Sequence, residues 1–238
     1  TNALARRIAH EYESEKQNLP SSLLVAWQQS AGRGRGGRSW LSPAGCGVYA
    51  TRLGWFAGRE RIPTLPLLVG VALCQAIAAA LPSQPREAVR LKWPNDILVH
   101  GKKIAGILIE TAIGAEDGAV VAIGFGVNHS HRAEDLPGDF ATSLALESGG
   151  GSPALDLVAL VDRLAERIEA EIAHVGDFAY AVTAARTWSA HAEGDTLSCR
   201  VGETTVVGRF LGFDDMGALR LETEEGQELR LTAGEVLS

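Results

Sequence analysis

The sequence is poor in cysteine, and its three cysteines are arranged neither for disulfides nor for a metal. Cys46, Cys74 and Cys199 are odd in number, widely spaced and outside any C-x-x-C pair. This usage excludes a disulfide framework, argues against a zinc site and indicates a reducing compartment. We therefore expect a cytoplasmic protein.

Signals for export or membrane insertion are also lacking. Residues 1–17 are mostly polar, unlike a secretory signal. The most apolar run, Leu65 to Leu81, lies between Pro63 and Pro82 and is slightly short for a membrane span of about 20 residues. We interpret this run as a buried helix and expect no membrane partner.

Positive charge is scarce over the whole chain. The 238 residues carry a net charge of −7 with a pI near 5.4, which argues against a general nucleic-acid-binding surface. Lysine is especially rare, with four lysines against eighteen arginines, yet three of the four fall between positions 92 and 103. This clustering indicates that an ammonium group is needed there, although a solvated hairpin tip explains Lys102 equally well.

Residue patterns for covalent catalysis are missing as well. The sequence has no G-x-S-x-G elbow, and no cysteine has a histidine nearby. The run His129-Ser130-His131 has two histidines on one face of an extended segment, but no third ligand at suitable spacing, so a metal site there is disfavoured. A protein nucleophile is therefore not expected.

Apolar periodicity and turn residues predict an α+β protein in two parts. We expect a sheet with packed helices over residues 1–190 and a small β-barrel over residues 191–238. The predicted helices cover 2–14, 65–81, 152–175 (starting at Ser152-Pro153) and 178–188. The predicted strands cover 23–27, 47–53, 88–93, 97–99, 104–111, 119–128, 197–201, 206–213, 218–222 and 227–231.

The stretch from Gly32 to Arg38 holds four glycines and three arginines in seven residues. Glycine costs roughly 0.5–1 kcal/mol inside a helix or strand, so this composition predicts a loop with unusual backbone angles. Arginine presents forked donors to carboxylates and phosphates. The loop is suited to wrapping a small anion, while a flexible solvated basic loop is an equally good explanation of this stretch alone.

Three further stretches carry candidate ligand-binding residues. Lys92-Trp93-Pro94-Asn95-Asp96 places polar side chains at a strand end, or is an ordinary turn. In the stretch Lys102 to Glu110, two lysines come directly before a nearly continuous apolar strand. Gly124 to Asn128 is a strand thinned by two glycines, which indicates close approach of a ligand, or else a bulge or a tight helix contact.

Aromatic rings complete the set of candidate residues. Trp40 and Trp93 flank two of the candidate loops and could stack on a flat ring, whereas Trp188 is expected in the core. Fixed arginines, lysines, close-approach glycines and aromatic rings, without a nucleophile, favour a reaction between bound anions. In such a reaction positioning and charge neutralisation do most of the work.

In order and spacing, these stretches resemble the motifs of the biotin protein ligase family over essentially the whole chain. Gly32 to Trp40 is similar to its G-R-G-R-x-G-R-x-W loop, and Lys92 to Asp96 to its K-W-P-N-D motif. Lys103 to Glu110 is similar to K-[IL]-[AS]-G-[IL]-L-x-E, and Gly124 to Asn128 to G-x-G-[IV]-N. The resemblance implies a mixed sheet with packed helices, class II synthetase-like, followed by a small SH3-like barrel.

The resemblance also implies a two-step reaction. Biotin and ATP, with Mg²⁺, would give biotinyl-5'-AMP and pyrophosphate, and a lysine of a biotin carboxyl carrier domain would then accept biotin and release AMP. A homodimer is possible, because family members often pair through their sheets. Two alternatives remain. A lipoate-type ligase shares the catalytic fold, although the arginine–glycine loop and the C-terminal barrel favour biotin, and a non-catalytic biotin-binding regulator would keep the loop.

Site residues are carried over from the family by motif. The implied catalytic residues are Lys103, Arg35 and Asp96. The implied biotin-binding residues are Thr1, Asn2, Gln29, Gly32, Arg33, Gly34, Arg35, Lys103, Gly106 and Leu108. The implied ATP-binding residues are Arg33, Arg38, Trp40, Asn95, Lys103 and Asn128, and no metal ligand is assigned.

The chain departs from the family pattern in two respects. The serine that usually precedes the Thr-Asn pair is missing ahead of Thr1, which leaves the edge of the biotin pocket open to question. Many bacterial members also carry an N-terminal helix-turn-helix domain, for which there is no room before Thr1. We therefore expect either a monofunctional ligase or a trimmed chain, with no nucleic acid bound by the part in hand.

Overall fold

The computed structural model describes residues 1–15, 18–81 and 88–237. Its helices are α1 (Asn2–Ser14), α2 (Leu65–Ala80), α3 (Leu144–Glu147), α4 (Leu157–Ile172) and α5 (Phe178–Trp188). Its first six strands are β1 (Ser22–Ala26), β2 (Gly47–Ala57), β3 (Val89–Lys92), β4 (Asp96–Val99), β5 (Lys102–Gly114) and β6 (Gly118–Asn128). Strands β7 (Thr196–Val201), β8 (Thr204–Phe213), β9 (Leu219–Glu222), β10 (Glu228–Leu231) and β11 (Glu235–Val236) follow.

The first six strands form one sheet in the order β1-β2-β6-β5-β4-β3. The ladders between these strands are antiparallel, and parallel pairing enters through single bridges, Leu91 with Ser189 and Lys103 with Ala141. The turn between β4 and β5 uses left-handed backbone at Gly101, as its glycine predicts. The predicted sheet with packed helices is confirmed.

Helices cover both faces of this sheet. On one face α1 packs against β2, β5 and β6, and Ala5 and Ala9 meet Leu53 and Ala122 in a small apolar cluster. On the other face α2, α4 and α5 form the larger core with alternate residues of the same strands. Strand β6 is buried along its whole length because it lies between these two layers. The face covered by α1 is also the face that carries the candidate site.

Helix α2 confirms the prediction of a buried apolar helix. By length and composition, the segment Arg59–Ala80 could cross a membrane, since its most apolar stretch has a mean hydropathy of 1.9. However, 67% of that stretch is buried inside the fold. Its apolar residues are therefore used in packing against α4, α5 and the sheet. Pro82, the residue expected to end this helix, lies outside the described residues.

The predicted start of α4 at Ser152-Pro153 is wrong. The helix begins at Leu157, where the Asp156 carboxylate accepts a hydrogen bond from the Ala159 amide at 2.8 Å. An N-cap aspartate satisfies an otherwise unpaired donor as well as a serine does. The helix also ends at Ile172, ahead of Gly176, whose φ of 92° lies in the turn that leads to α5.

The last five strands form an antiparallel sheet in the order β10-β9-β8-β7-β11. Ladders among the described residues include no closing pair, so the closed SH3-like barrel stays a prediction, as does the boundary at residue 190. Phe210 and Leu219 belong to the same apolar cluster as α2 and α5. The Ala190 amide also donates to the Leu91 carbonyl at 2.9 Å, which ties the second sheet to β3.

Candidate active site

A row of residues across four strands forms the floor of the candidate site. Asp96, Gly106, Gly126 and Tyr49 are successive partners on β4, β5, β6 and β2, and paired residues face the same side of a sheet. A Cβ atom at Gly126 would lie 2.5 Å from Trp40 Nε1, and one at Gly106 would lie 3.2 Å from Trp40 Cζ3. The two glycines therefore make room for the Trp40 indole on the floor.

The next row of paired strand residues lies beneath helix α1, which forms one wall of the cavity. Leu108, Gly124 and Thr51 are paired across β5, β6 and β2, and the Asn2 side chain occupies the space above Gly124. The amide of Asn2 donates to the Leu108 carbonyl at 3.0 Å and accepts from Thr51 Oγ1 at 2.6 Å. These bonds fix the orientation of the amide. The predicted close approach at Gly124 is thus made by a helix residue of the chain itself.

These rows and the arginine–glycine loop enclose a cavity of about 580 Å³. All but one of the site residues predicted from sequence line it: Thr1, Asn2, Gln29, Arg33, Gly34, Arg35, Arg38, Trp40, Asn95, Asp96, Lys103, Gly106, Leu108 and Asn128. Gly32 does not line the cavity. It packs against the Trp40 carbonyl and Ser42 Oγ, where a larger residue would clash, so it shapes the base of the loop.

The loop is a closed turn rather than an open basic strand. Trp40 N donates to the Gly32 carbonyl at 2.9 Å, and Gly34 N donates to the Arg38 carbonyl at 2.7 Å. Left-handed backbone at Gly36, with φ of 63°, and at the next glycine reverses the chain. This conformation strains any residue with a Cβ, which explains the glycines and confirms the predicted unusual backbone angles.

Each arginine of the loop contacts a different part of the protein. Arg33 Nη2 donates to the Glu110 carboxylate at 3.1 Å on β5. Arg35 Nη1 donates to Asn95 Oδ1 and to the Gly234 carbonyl, each at 3.2 Å. Arg38 pairs with a glutamate of the second sheet, described below. The loop is therefore pinned on three sides, which disfavours the flexible, solvated alternative.

Lys103 brings an ammonium group to the floor of the cavity. Its Nζ lies 2.7 Å from Asp96 Oδ1 and 5.4 Å from the centroid of the Trp40 ring. The lysine is about one-quarter exposed, whereas its neighbour Lys102 is exposed at the hairpin end. The sequence-based distinction between the two lysines is consistent with these positions.

The two asparagines predicted at the nucleotide end are held by the protein. Asn95 Nδ2 donates to the Ile107 carbonyl at 3.0 Å while its Oδ1 accepts from Arg35. Asn128 Nδ2 donates to the Thr142 carbonyl at 2.9 Å. One N–H of each amide is thus engaged, which leaves the second N–H for an anionic group and the amide oxygen for a cation or another donor.

Among the titratable groups that line the cavity, Arg35, His131 and Tyr49 have pKa values shifted mainly by burial. Burial lowers the pKa of Arg35, although the charge of Asp96 opposes the shift. Burial also lowers the pKa of His131, whose Nε2 lies 3.4 Å from the Tyr49 hydroxyl, so this histidine is neutral at pH 7. For Tyr49, burial raises the pKa, so its hydroxyl stays protonated. The cavity therefore keeps cationic arginines beside uncharged polar groups.

Two carboxylates that hold the loop were missed by the sequence reasoning. Glu110 receives Arg33, and Glu235 of β11 receives both Arg38 and Arg200. Burial disfavours ionisation of Glu235, but hydrogen bonds from the two arginines outweigh it and hold its pKa below 4.5. Glu110 ends the third candidate stretch and could have been found from its β5 register. Glu235 lies in a separate sheet and gives no local signal.

One aromatic prediction needs correction. Trp93 is 4% exposed in the larger core and does not line the cavity, so its predicted stacking role is wrong. Phe140, which is 63% exposed, is an aromatic residue that does line the cavity. Trp188 is 4% exposed and confirms the core prediction.

The cavity offers oxygen ligands but no metal cage. Among residues 1–15, 18–81 and 88–237, no group of three or more His, Cys, Asp or Glu side chains could hold a metal. Mg²⁺ commonly binds through one or two carboxylates together with substrate phosphates and waters. Asp96 and the oxygens of Asn95 and Asn128 therefore fit Mg²⁺ that arrives with a nucleotide, and do not fit a resident metal.

Residues 4–128, which include the first sheet, match the model of the Biotin/lipoate A/B protein ligase family. Residues 199–237 match the Biotin protein ligase C terminal domain. A biotin–[acetyl-CoA-carboxylase] ligase of Paracoccus denitrificans is 34% identical over 222 residues, covering 91% of this chain and 90% of that protein. The bifunctional ligase/repressor BirA of Bacillus subtilis is 34% identical over 228 residues, covering 93% and 67%.

Solved structures agree with these matches. A biotin protein ligase from Aquifex aeolicus in complex with biotin and ATP superposes with a TM-score of 0.73 and 27% identity, covering 94% of this chain and 91% of that one. The cavity brings several held cations together in a site suited to small anions. The chain belongs to the Biotin/lipoate A/B protein ligase family. Its C-terminal match groups it with the biotin protein ligases, and it is an enzyme of that type.

Proposed function

We propose that this protein attaches biotin to one lysine of a biotin carboxyl carrier domain, through biotinyl-5'-AMP, in the cytoplasm. The observation that carries the proposal is the single cavity that joins Lys103, Arg33 and Arg35 to the Asn2 wall and the Trp40 floor. Its volume of about 580 Å³ falls within the usual range of small-molecule sites, roughly 300–1,000 Å³.

In the first step a carboxylate oxygen of biotin attacks the α-phosphorus of ATP. The bond from that phosphorus to the bridging oxygen breaks, and pyrophosphate leaves. Both reactants are anions, so their approach is repulsive unless cations surround them. Arg33 and Arg35 neutralise the carboxylate and the α-phosphate, and Lys103 stabilises the charge that develops in the transition state.

Walls and floor divide the cavity between the two substrates. Biotin lies against Gln29, Asn2 and Leu108, with its carboxylate towards Lys103. Gln29 Nε2 donates to Thr1 Oγ1 at 3.2 Å, which leaves its carbonyl oxygen for the ureido end. The nucleotide lies towards Trp40 and Arg38, at the end of the cavity where Phe140 is also exposed. The buried Trp40 indole N–H, which meets no acceptor among the described residues, is a donor for a nucleotide.

Mg²⁺ supplies charge neutralisation for the phosphates when it is bound with ATP. Asn128 and Asn95 would offer their amide oxygens to this cation, and the second N–H of each amide would donate to a phosphate oxygen. Asp96 is held 2.7 Å from Lys103, so the pair contributes less net charge than a lone lysine would. Arg35, whose partners are the uncharged Asn95 amide and Gly234 carbonyl, then carries most of the uncompensated positive charge facing the phosphates.

In the second step the acceptor lysine attacks the acyl carbon of the mixed anhydride. A C–N bond forms, the bond from the acyl carbon to the phosphate oxygen breaks, and AMP leaves. Asp96 orients the incoming amine, which loses a proton as it bonds. Because water competes with the lysine for the anhydride, the loop must stay closed over biotinyl-5'-AMP between the steps.

The test is pyrophosphate release by the purified protein with ATP and Mg²⁺, measured with biotin, with lipoate and without either acid. We expect release that depends on biotin and is small with lipoate. Release with lipoate alone would establish the lipoate-type ligase in place of this proposal. Biotin binding by folded protein without any release would instead establish a non-catalytic biotin-binding regulator.

A further inference from the structure

A carboxylate one row behind the cavity connects the loop to the α1 wall. Glu110 lies on β5, paired with Ala122 of β6, on the face that α1 covers. Its side chain is 21% exposed and does not line the cavity. A partly buried carboxylate requires hydrogen-bond donors, and this one is supplied from two segments that are distant in sequence.

The donors of Glu110 come from both sides of the proposed biotin site. Asn2 Nδ2 donates to Glu110 Oε2 at 2.8 Å, across 108 residues of sequence. Arg33 Nη2 reaches the two carboxylate oxygens at 3.1 and 3.4 Å. Arg6 Nη1 lies farther away, at 3.6 Å, and adds positive charge. One carboxylate therefore fixes the wall residue Asn2 and the loop residue Arg33 together.

Glu110 uses only part of the hydrogen-bonding capacity of the Arg33 guanidinium. One guanidinium nitrogen is bound to Glu110, so the other nitrogens remain available to an anion in the cavity that Arg33 lines. The Arg33 side chain is 47% exposed, and without its acceptor it can turn to solvent, where a long side chain gains rotamer entropy. The position of the loop arginine thus depends on a group that does not touch the cavity.

We propose that Glu110 is a positioning residue that holds the loop against the α1 wall and thereby keeps biotin and its adenylate in place. The proposal rests on the proposed function for the identity of the ligand, but the contact between loop and wall does not. Glu110 acts through Arg33 and Asn2, so its loss should weaken ligand retention more than it slows adenylation.

Trypsin measures the loop without any substrate, because the loop offers cleavage sites at Arg33, Arg35 and Arg38. Cleavage after Arg35 and Arg38, the two sites that every variant retains, is followed by mass spectrometry of the fragments. Glu110→Gln keeps the shape and the acceptor for Asn2 but removes the charge that holds Arg33. For a partly buried charge pair we expect cleavage in the loop to accelerate about tenfold. Glu116→Gln, an exposed carboxylate near the far end of β5, is the control and should leave the rate unchanged. Equal cleavage rates in wild type and Glu110→Gln would overturn the proposal.

Kinetics give the second readout. In Glu110→Gln the KM for biotin and the rate of adenylate dissociation should each rise about tenfold, with kcat for pyrophosphate release within about threefold of wild type. Glu110→Asp should restore part of the loss. A fall in kcat at unchanged KM would contradict a positioning role.

Arg33→Gln breaks the Arg33–Glu110 ion pair from the loop side, and it is the variant to use if Glu110→Gln fails to fold. Combined with Glu110→Gln, it should add little further loop cleavage, and full additivity would contradict the coupling. An inactive wild-type protein would refute the proposed function alone, since the comparison of cleavage rates still decides the role of Glu110.

Discussion

Lys103 occupies the position where a small, mobile cation is of most use. It stands beside Trp40 and Asp96 on the floor of the cavity, whereas the loop arginines are tied to partners around its rim. An ammonium group is a compact charge on a flexible stem, while a guanidinium group is a planar fork suited to fixed pairs. In the proposed reaction, this division between one lysine and several arginines would separate the charge that stabilises the transition state from the charge that holds the substrates.

We predict that Lys103→Ala lowers kcat for pyrophosphate release about 100-fold while biotin affinity falls much less, because its charge matters most in the transition state. Lys102→Ala, which removes the exposed neighbouring lysine, is the matched control and should be nearly silent. Stopped-flow pyrophosphate release and calorimetric biotin binding measure the two effects. Equal losses in rate and affinity would indicate simple ground-state binding by Lys103.

Gly126 is a second residue whose identity is set by a neighbour. Its α-carbon faces Trp40, so in Gly126→Ala the new methyl group would lie 2.5 Å from the indole nitrogen and force the ring to move. We expect the KM for ATP to rise about tenfold or more, with a smaller change in the KM for biotin. Gly151→Ala, where the added methyl would meet only the Ser148 carbonyl oxygen at an ordinary contact distance of 4.0 Å, is the control. An unchanged KM for ATP would separate Trp40 from nucleotide binding.

At the scale of elements, the loop 32–38 works through what its ends and sides contact. Its fold is closed by backbone hydrogen bonds, and its arginines bind β5, the turn before β4 and the second sheet. Such a loop can shield a reactive anhydride only while these contacts hold. Arg35 is central because a single Nη1 atom joins Asn95 to the Gly234 carbonyl.

We predict that Arg35→Gly increases escape of biotinyl-5'-AMP into solution. The variant loses a cation near the phosphate and both contacts that hold the loop, so dissociation should speed up about tenfold or more. Gel filtration of the adenylate-loaded protein, followed by mass spectrometry of the small-molecule fraction, measures the escape. Retention equal to that of wild type would show that Arg35 does not hold the closed loop.

Most elements were predictable because they depend on local pattern. Helix α5 begins and ends where the apolar spacing predicts, and the predicted strands differ from the observed ones mainly in length. Strand β11 and the short helix α3 were not predicted. Helix α4 was misplaced because Ser152-Pro153 looks like a start, although Asp156 provides the cap that is used. Local sequence cannot rank two adequate caps when the choice depends on which residues pack against α2.

The residues that line the candidate cavity were predictable from sequence, but the hydrogen bonds and ion pairs that hold them were not. Motifs named its lining residues, because glycines, lysines and arginines stand out within their own stretches. The partners of the arginines were not predictable, since Glu110 and Glu235 reach the loop through strand register and sheet packing over 77 and 197 residues. The glycines of β6 make room for Asn2 and Trp40, a detail that depends on the same register.

At the scale of the whole molecule, the two sheets share an apolar core and meet again at the loop through Glu235. His191 lies at the junction between them, with its ring 6.0 Å from that of Phe210 in an edge-on contact. Burial, followed by the charge of Lys92, lowers its pKa from 6.5 to about 4, while Asp195 opposes the shift. The junction is therefore built around a neutral histidine.

This junction should make stability depend on pH. The unfolded chain protonates His191 near pH 6.5 but the folded protein only near pH 4, so the unfolded state binds more protons in between. The free energy of unfolding should therefore fall as pH drops through this window, by about 2–3 kcal/mol at pH 4.5, and not change from this cause above pH 7. Urea titrations at pH 7.5 and 4.5 should show a smaller drop for His191→Gln. His10→Gln, at an exposed histidine of α1, should retain the wild-type drop, and an equal drop in His191→Gln would refute the assignment.

The central claim is that one cavity makes and holds an acyl adenylate without a protein nucleophile. The most direct measurement is a single-turnover mixture of protein, biotin, ATP and Mg²⁺ without acceptor, with the protein and its small molecules analysed separately by mass spectrometry. The account predicts close to one biotinyl-5'-AMP per protein, bound non-covalently, and an unmodified polypeptide mass. A covalent biotinyl or adenylyl adduct on the polypeptide, or pyrophosphate formed without any biotinyl-5'-AMP, would contradict it.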